Sequence, residues 1–167
     1  LLKRVAADAE AMGFSATFAC EFEFFMFKES AETLREKGFQ GLHSLTPGMF
    51  GYSVLRSSQK SDYFNDLFTL LEDYRIPLEG LHTETGPGVY EAAIQYTNIL
   101  EAADRAVLFK AAVKEIASKH GVMASFMAKW NAELPGCSGH IHQSLWKDGQ
   151  NLFADNKDGS NMSPLFK

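Results

Sequence analysis

Residues 15–28 read Ser-Ala-Thr-Phe-Ala-Cys-Glu-Phe-Glu-Phe-Phe-Met-Phe-Lys, and the alternation in that stretch decides how the rest of the chain is read. A run this rich in phenylalanine suits a strand. Successive strand residues point to opposite faces, so Phe18, Cys20, Phe22 and Phe24 share one face and Glu21 and Glu23 the other. The first face is made for a core. The second carries two carboxylates roughly 6.5–7 Å apart at Cα, which repel each other unless a cation or water covers them. Taken alone, these two acids fit an exposed sheet face as well as a cation site.

Working outward, Leu1, Leu2, Val5, Ala6, Ala9 and Met12 fall at helical spacing and Gly13 follows as a stop, which predicts a helix over about 1–12. After the strand, Glu29 to Arg56 is broken by glycines and Pro47 and reads as irregular. Ser61 or Asp62 is placed to cap a helix to about Arg75, with Phe64, Leu67, Phe68, Leu71 and Tyr74 as its buried stripe. Pro77 ends it. Two short strands, near 78–84 and 89–97, are joined by the Gly86-Pro87-Gly88 turn. The longest helical pattern covers about 99–119 and closes on His120-Gly121. Val122–Lys129 and Gly139–Trp146 read as strands, and Lys147-Asp148-Gly149-Gln150 as a hairpin turn. There is no internal repeat. This order predicts an α+β fold with an antiparallel or mixed sheet.

With 46% apolar, 13% aromatic and 22% charged residues in 167, the chain can bury a sizeable core and disorder is excluded. A net charge of -5 argues against a nucleic-acid surface and against an anionic membrane. No apolar run reaches the roughly 18–20 residues of a membrane span. Cys20 and Cys137 are the only cysteines and have no CxxC spacing, so a disulfide framework and a zinc site are not expected, and a reduced cytoplasmic setting is. The N-terminus lacks the basic-then-apolar order of a signal peptide and an initiator Met. It starts within an amphipathic pattern, as a fragment would.

Two further constellations carry chemistry. His82-Thr83-Glu84-Thr85-Gly86-Pro87-Gly88-Val89-Tyr90-Glu91 places Glu84 and Glu91 on strands that a glycine turn folds together, so both carboxylates can aim at one hard cation such as Mg²⁺ or Mn²⁺. A surface hairpin with ordinary acids would read the same way. In Gly136-Cys137-Ser138-Gly139-His140-Ile141-His142-Gln143-Ser144, two imidazoles and a hydroxyl share one strand face behind a glycine-rich turn, an arrangement suited to a divalent metal or the polar edge of a nucleotide. Other signatures fail. There is no GxxxxGK[ST], HExxH or GxSxG. The tract from Ala154 to Gly159 resembles a calcium loop but has Ala154 at the first ligand position and Leu165 at the twelfth. Asn161-Met162-Ser163 matches a glycosylation acceptor that a cytoplasmic protein would not use.

In order and separation, Glu21–Phe27, His82–Glu91 and Gly136–Trp146 together resemble the catalytic domain of the glutamine synthetase family, in its type I or type I-like branch, from about residue 1 to 154. The resemblance implies an α+β antiparallel half-barrel with flanking helices, present here as the first part of a catalytic domain without the family's N-terminal β-grasp domain and C-terminal portion. It implies active sites between neighbours in a ring, usually a dodecamer. By the same resemblance Glu23, Glu84 and Glu91 would hold one Mg²⁺ or Mn²⁺ beside the acceptor carboxylate, and Glu21 and His140 a second on the phosphates of ATP. His142 and Ser144 would line the nucleotide side, and Gly136 the glutamate side. The implied activity is ATP-dependent synthesis of glutamine from glutamate and ammonia through a γ-glutamyl phosphate, in a cytoplasmic enzyme of nitrogen metabolism. Such a fragment would be inactive alone, since downstream arginines and a further metal carboxylate are missing from it.

Departures lie on the acceptor side. Val89 stands where many members have Gln, Pro135 where a substrate-loop Asn is common, and Trp130 where Pro usually follows Lys129. These changes keep open a γ-glutamyl-polyamine, alkylamide or ethanolamide synthetase of the same family. A non-catalytic lens-type homologue is a further alternative, which loss of the metal carboxylates would favour; none is lost.

Overall fold

A computed structural model describes residues 1–155 and 159–167; the centre of the tract weighed above as a calcium loop lies outside the described residues. The strand β1 runs over Ser15–Phe27, and its 13 residues let it pair with four partners. Helix α1 is Leu2–Ala11, α2 Ala31–Glu36, α3 Val54–Ser58, α4 Ser61–Asp73 and α5 Ile99–Lys119. The remaining strands are β2 Leu78–Thr83, β3 Val89–Ile94, β4 Thr97–Asn98, β5 Met123–Ser125, β6 Gly139–Lys147 and β7 Gln150–Asn151. Among the described residues the seven strands form one sheet in the order β2-β3-β1-β6-β7, with β4 and β5 also paired to β1, and every pairing is antiparallel.

The predicted alternation of β1 organises the core. Phe24 and Met26 are fully buried, and Cys20 and Phe22 pack with them against Tyr63, Phe64, Leu67 and Leu71 of α4 and Phe109, Val113, Ile116 and Ala117 of α5. Ring contacts close the layer: Phe22 stacks on Phe109 at 5.9 Å and Phe64 lies 4.8 Å from Tyr90. Each such side chain taken from water is worth about 1.5–3 kcal/mol before entropic costs. A smaller cluster of Phe25, Phe27 and Val89, edged by Trp130 and Cys137, lies beyond Glu23 on the opposite face.

The α4 stripe differs from expectation. Phe68 is 39% and Tyr74 61% exposed, while Tyr63 is buried. The helix turns its Tyr63, Phe64, Leu67 and Leu71 side inward because β3 offers Tyr90 there. Its N-cap is Lys60 and makes no side-chain cap bond, so neither Ser61 nor Asp62 caps it. Two short helices occupy the stretch read as irregular. The first, α2, is closed by a capping box in which Ser30 and Thr33 exchange side-chain-to-backbone bonds, a signature with Thr where Glu or Gln is the familiar signal. The apolar run after α5 pairs over three residues only. The hairpin joining β6 to β7 is as expected: Asp148 and Gly149 have φ of 50° and 77°, the left-handed pair of a type I′ turn. No helix among the described residues is long and apolar enough to cross a membrane.

Candidate metal and nucleotide site

Register brings the predicted residues to one face of the sheet. On β1, Glu21 lies opposite His140 of β6 and Glu23 opposite Glu91 of β3; Glu91 in turn lies opposite His82 of β2. Directly opposed residues share a face, so three stretches distant in sequence converge. Glu91 Oε1 is 3.7 Å from His140 Nδ1, and Oε2 is 3.6 Å from His82 Nε2. His82 Nδ1 is 3.8 Å from Glu84 Oε1. Glu21 Oε2 lies 3.8 Å from His140 Nδ1 and 2.7 Å from His142 Nε2. An unbroken chain thus runs His142–Glu21–His140–Glu91–His82–Glu84.

Glu23 is held differently. β6 leaves β1 at Phe22 and β5 joins it only at Phe25, so the sheet divides beside Glu23. Ser138 fills the division: its N–H donates to Glu23 Oε2 at 2.7 Å, and its carbonyl accepts from the Glu23 N–H at 3.1 Å. Gly136 is two residues away and packs against the segment before it, where an added Cβ would lie 2.6 Å from the Ala128 carbonyl. It stands on the loop that reaches Glu23 and not among the carboxylates. Burial, and then Glu23, push the Cys137 thiol up to about 12, so it is no nucleophile at neutral pH.

The turn that carries Glu84 and Glu91 depends on Gly88. Its φ of 70° is left-handed, and a Cβ there would lie 2.5 Å from the Met26 carbonyl. Only glycine lets the turn press against β1. Glu91 is 6% exposed; burial first, then Glu21 and Glu23, raise its carboxyl above the ordinary range. Among the described residues these carboxylates form ion pairs with histidines alone. Oxygens from Glu21 and Glu91 and a nitrogen of His82 come within 4.8 Å of one another. A mutually repelling set of carboxylates, Glu91 among them buried, with imidazole nitrogens at its edge is the donor chemistry of a hard divalent cation, so the residues fit one.

Two neighbours escaped the sequence reading. His82 stands inside the quoted motif yet was given no role; its place opposite Glu91 comes from strand register. Tyr52, in the stretch read as irregular, stacks on the His82 ring at 4.6 Å. The Glu84 carboxylate is the largest cause of its raised phenol pKa. Its φ of 54° is an uncommon conformation for a bulky residue, held by its N–H to the Thr83 carbonyl at 2.7 Å.

From Glu21 and His142 a cleft of about 560 Å³ extends along the same face toward Thr17, Ser144, Trp146 and Tyr96. The Trp146 indole N–H donates to Ser144 Oγ at 2.8 Å and to Thr17 Oγ1 at 3.1 Å, and the two hydroxyls lie 2.6 Å apart. Carboxylates at one end and an aromatic, hydroxyl-bearing pocket at the other suit a ligand with a charged tail and a flat head.

Fold and site together define an α+β domain whose carboxylate- and histidine-bearing sheet face opens into a cleft of about 560 Å³. Residues 1–167 match the family model for the glutamine synthetase catalytic domain, and the chain belongs to that family. It is 52% identical over 168 residues to type-1 glutamine synthetase 2 of Dictyostelium discoideum, covering 99% of this chain and 32% of that protein. It is 39% identical over 145 residues to the glutamate–isopropylamine ligase of a Pseudomonas species, covering 87% and 32%. A solved ligand-free GmaS structure superimposes with a TM-score of 0.82 at 27% identity, over 98% of this chain and 37% of that one. The Plasmodium falciparum glutamine synthetase shares the half-barrel fold at a TM-score of 0.81 and 19% identity, over 97% and 36%. The sheet is therefore the antiparallel half-barrel expected from the sequence. The chain spans about a third of the length of the curated relatives it matches.

Proposed function

We propose that this chain contributes the metal and nucleotide side of an ATP-dependent ligase that joins glutamate to ammonia as glutamine. The observation that carries this reading is the gathering of Glu21, Glu84, Glu91 and His140 into one chain of contacts, with Glu23 on the same face and, among the described residues, no lysine or arginine paired to any of them. Glu23, Glu84 and Glu91 would hold one Mg²⁺ or Mn²⁺ and Glu21 and His140 another. Bound there, the cations would neutralise phosphate charge and favour transfer of the γ-phosphoryl group to the side-chain carboxylate of glutamate.

The protein's own groups do the rest. Ser138 fixes the Glu23 carboxylate by a backbone bond, and His142 orients Glu21 from the cleft side, so the anionic cradle is set before substrate arrives. The cleft takes the nucleoside with Ser144 at its far wall. The Gly136 loop borders the acceptor, whose γ-glutamyl phosphate an amine then displaces to give the amide. We place the enzyme in the cytoplasm and in a ring of like subunits, where a neighbour completes each site.

Calorimetric titration of the full-length protein with Mn²⁺ and then ATP tests the reading: both should bind, and absence of binding sinks it. The 39% identity to glutamate–isopropylamine ligase, with Val89, Pro135 and Trp130 at the positions where the sequence departs from the family pattern, supports a second reading in which a larger amine replaces ammonia. A phosphate-release assay with ammonia, methylamine, ethanolamine and putrescine separates the two. The highest kcat/KM with ammonia eliminates the second.

A further inference from the structure

At the far end of the cleft, three polar side chains from the two adjacent strands β1 and β6 form a closed triangle: Thr17, Ser144 and Trp146. Their protons can be counted. An indole N–H can only donate, while each hydroxyl has one hydrogen and two lone pairs. The indole hydrogen is shared between the two oxygens, and the 2.6 Å contact between the hydroxyls uses one O–H. One hydroxyl hydrogen is left over. The indole lies closer to Ser144 Oγ, 2.8 Å against 3.1 Å to Thr17, which makes Ser144 the oxygen that accepts twice when Thr17 donates to it. Its own hydrogen is then free, and an oxygen receiving two hydrogen bonds is a stronger donor.

Resting on the nucleotide reading above, we propose that Thr17 and Trp146 are positioning residues that turn the Ser144 hydroxyl into a donor aimed into the cleft, where it reads an acceptor atom on a purine base. The triangle contains no cation, so it is built for a neutral heterocycle and not for phosphate. Thr17 stands four residues along β1 from Glu21, about 13 Å, the scale that separates the base of a nucleoside triphosphate from its phosphate tail. Trp146 and Tyr96 supply aromatic surface in the same cleft, as a base requires.

The test uses the full-length protein, with ATP binding followed by calorimetry and by indole fluorescence, Trp130 and Trp146 being the two tryptophans. Thr17→Val keeps the shape and removes the hydroxyl; it should weaken ATP about five- to tenfold, and raise the KM for ATP more than it lowers kcat. Thr17→Ser should restore affinity, and Mn²⁺ binding without nucleotide should stay unchanged in both. Among 1-, 3- and 7-deaza-ATP, one should bind the unmodified protein more weakly by a similar factor and lose nothing further in Thr17→Val. If Thr17→Val binds ATP normally, or if all three analogues bind like ATP, the assignment is overturned while the ligase reading stands. If the unmodified protein binds no ATP, both fall.

Discussion

Glu91 is where the chemistry of single residues is most exposed. Its carboxyl is buried, flanked by Glu21, Glu23 and Glu84, and raised above its ordinary value by burial and then by those neighbours. His82, 3.6 Å away, works against that rise, and His140 lies 3.7 Å from the same carboxylate. On the proposed function, Glu91→Ala and Glu84→Ala should each abolish turnover in the full-length protein and weaken Mn²⁺ by about tenfold or more, with circular dichroism unchanged, because each removes a proposed metal ligand and no apolar core volume. Near-normal turnover in either variant would show that the carboxylate is no ligand. His142→Ala should behave differently. It touches Glu21 from the cleft side, so the apparent affinity for ATP should fall by more than that for Mn²⁺ when both are titrated on the same preparation.

At the scale of elements, the turn and the staple around β1 decide whether those residues meet. The β2–β3 turn fits under β1 only because Gly88 lacks a Cβ and holds φ at 70°. Gly88→Ala should lower stability by about 2 kcal/mol or more in denaturant unfolding and, by displacing Glu84 and Glu91, weaken the metal as well. Below β1, Glu29 is 2% exposed and ties α2 to the segment at His43. Lys37 Nζ donates to it at 2.6 Å, the His43 amide at 3.0 Å and the Thr33 hydroxyl at 2.7 Å. The Lys37 contact first, then the other two, lower its carboxyl from 4.5 to about 2. A depressed carboxylate stabilises the fold above its unfolded value, and that stabilisation drains away as pH falls from about 4.5 toward 2. Glu29→Gln should thus lower Tm at neutral pH and flatten the acid limb across that window in thermal melts. An unchanged limb would mean another group governs it.

Across the whole molecule, what could be read in advance was whatever repeats locally. The alternation of β1, the long amphipathic α5 and the Asp148-Gly149 turn are short-range patterns, and the structure keeps them. The faces of Glu21, Glu91 and His140 were also legible, because parity along a strand decides them; Glu84 lies one residue past β2, in the turn. What was missed depends on partners far away in the chain. Tyr52 meets His82 across 30 residues through an irregular stretch. Thr17 meets Ser144 across 127, and no periodicity marks either pair. The inward turn of Tyr63, whose hydroxyl donates to the Val113 carbonyl of α5 at 3.4 Å, follows from how α4 packs on α5, again a matter of assembly and not of propensity.

The double use of β1 has a genetic corollary. Core letters and site letters alternate along one uninterrupted 13-residue word, so parity acts as a reading frame within the reading frame. Inserting or deleting one codon between Ala19 and Glu23 would swap phenylalanines and glutamates between the faces for every residue on one side of the lesion. Two codons would restore the frame. In a library of short in-frame indels, tolerance along this strand should therefore alternate with lesion length, odd changes being lost and even ones partly retained, a pattern absent from the loop at 38–50. Core and site cannot drift independently here, because they are spelled in the same letters.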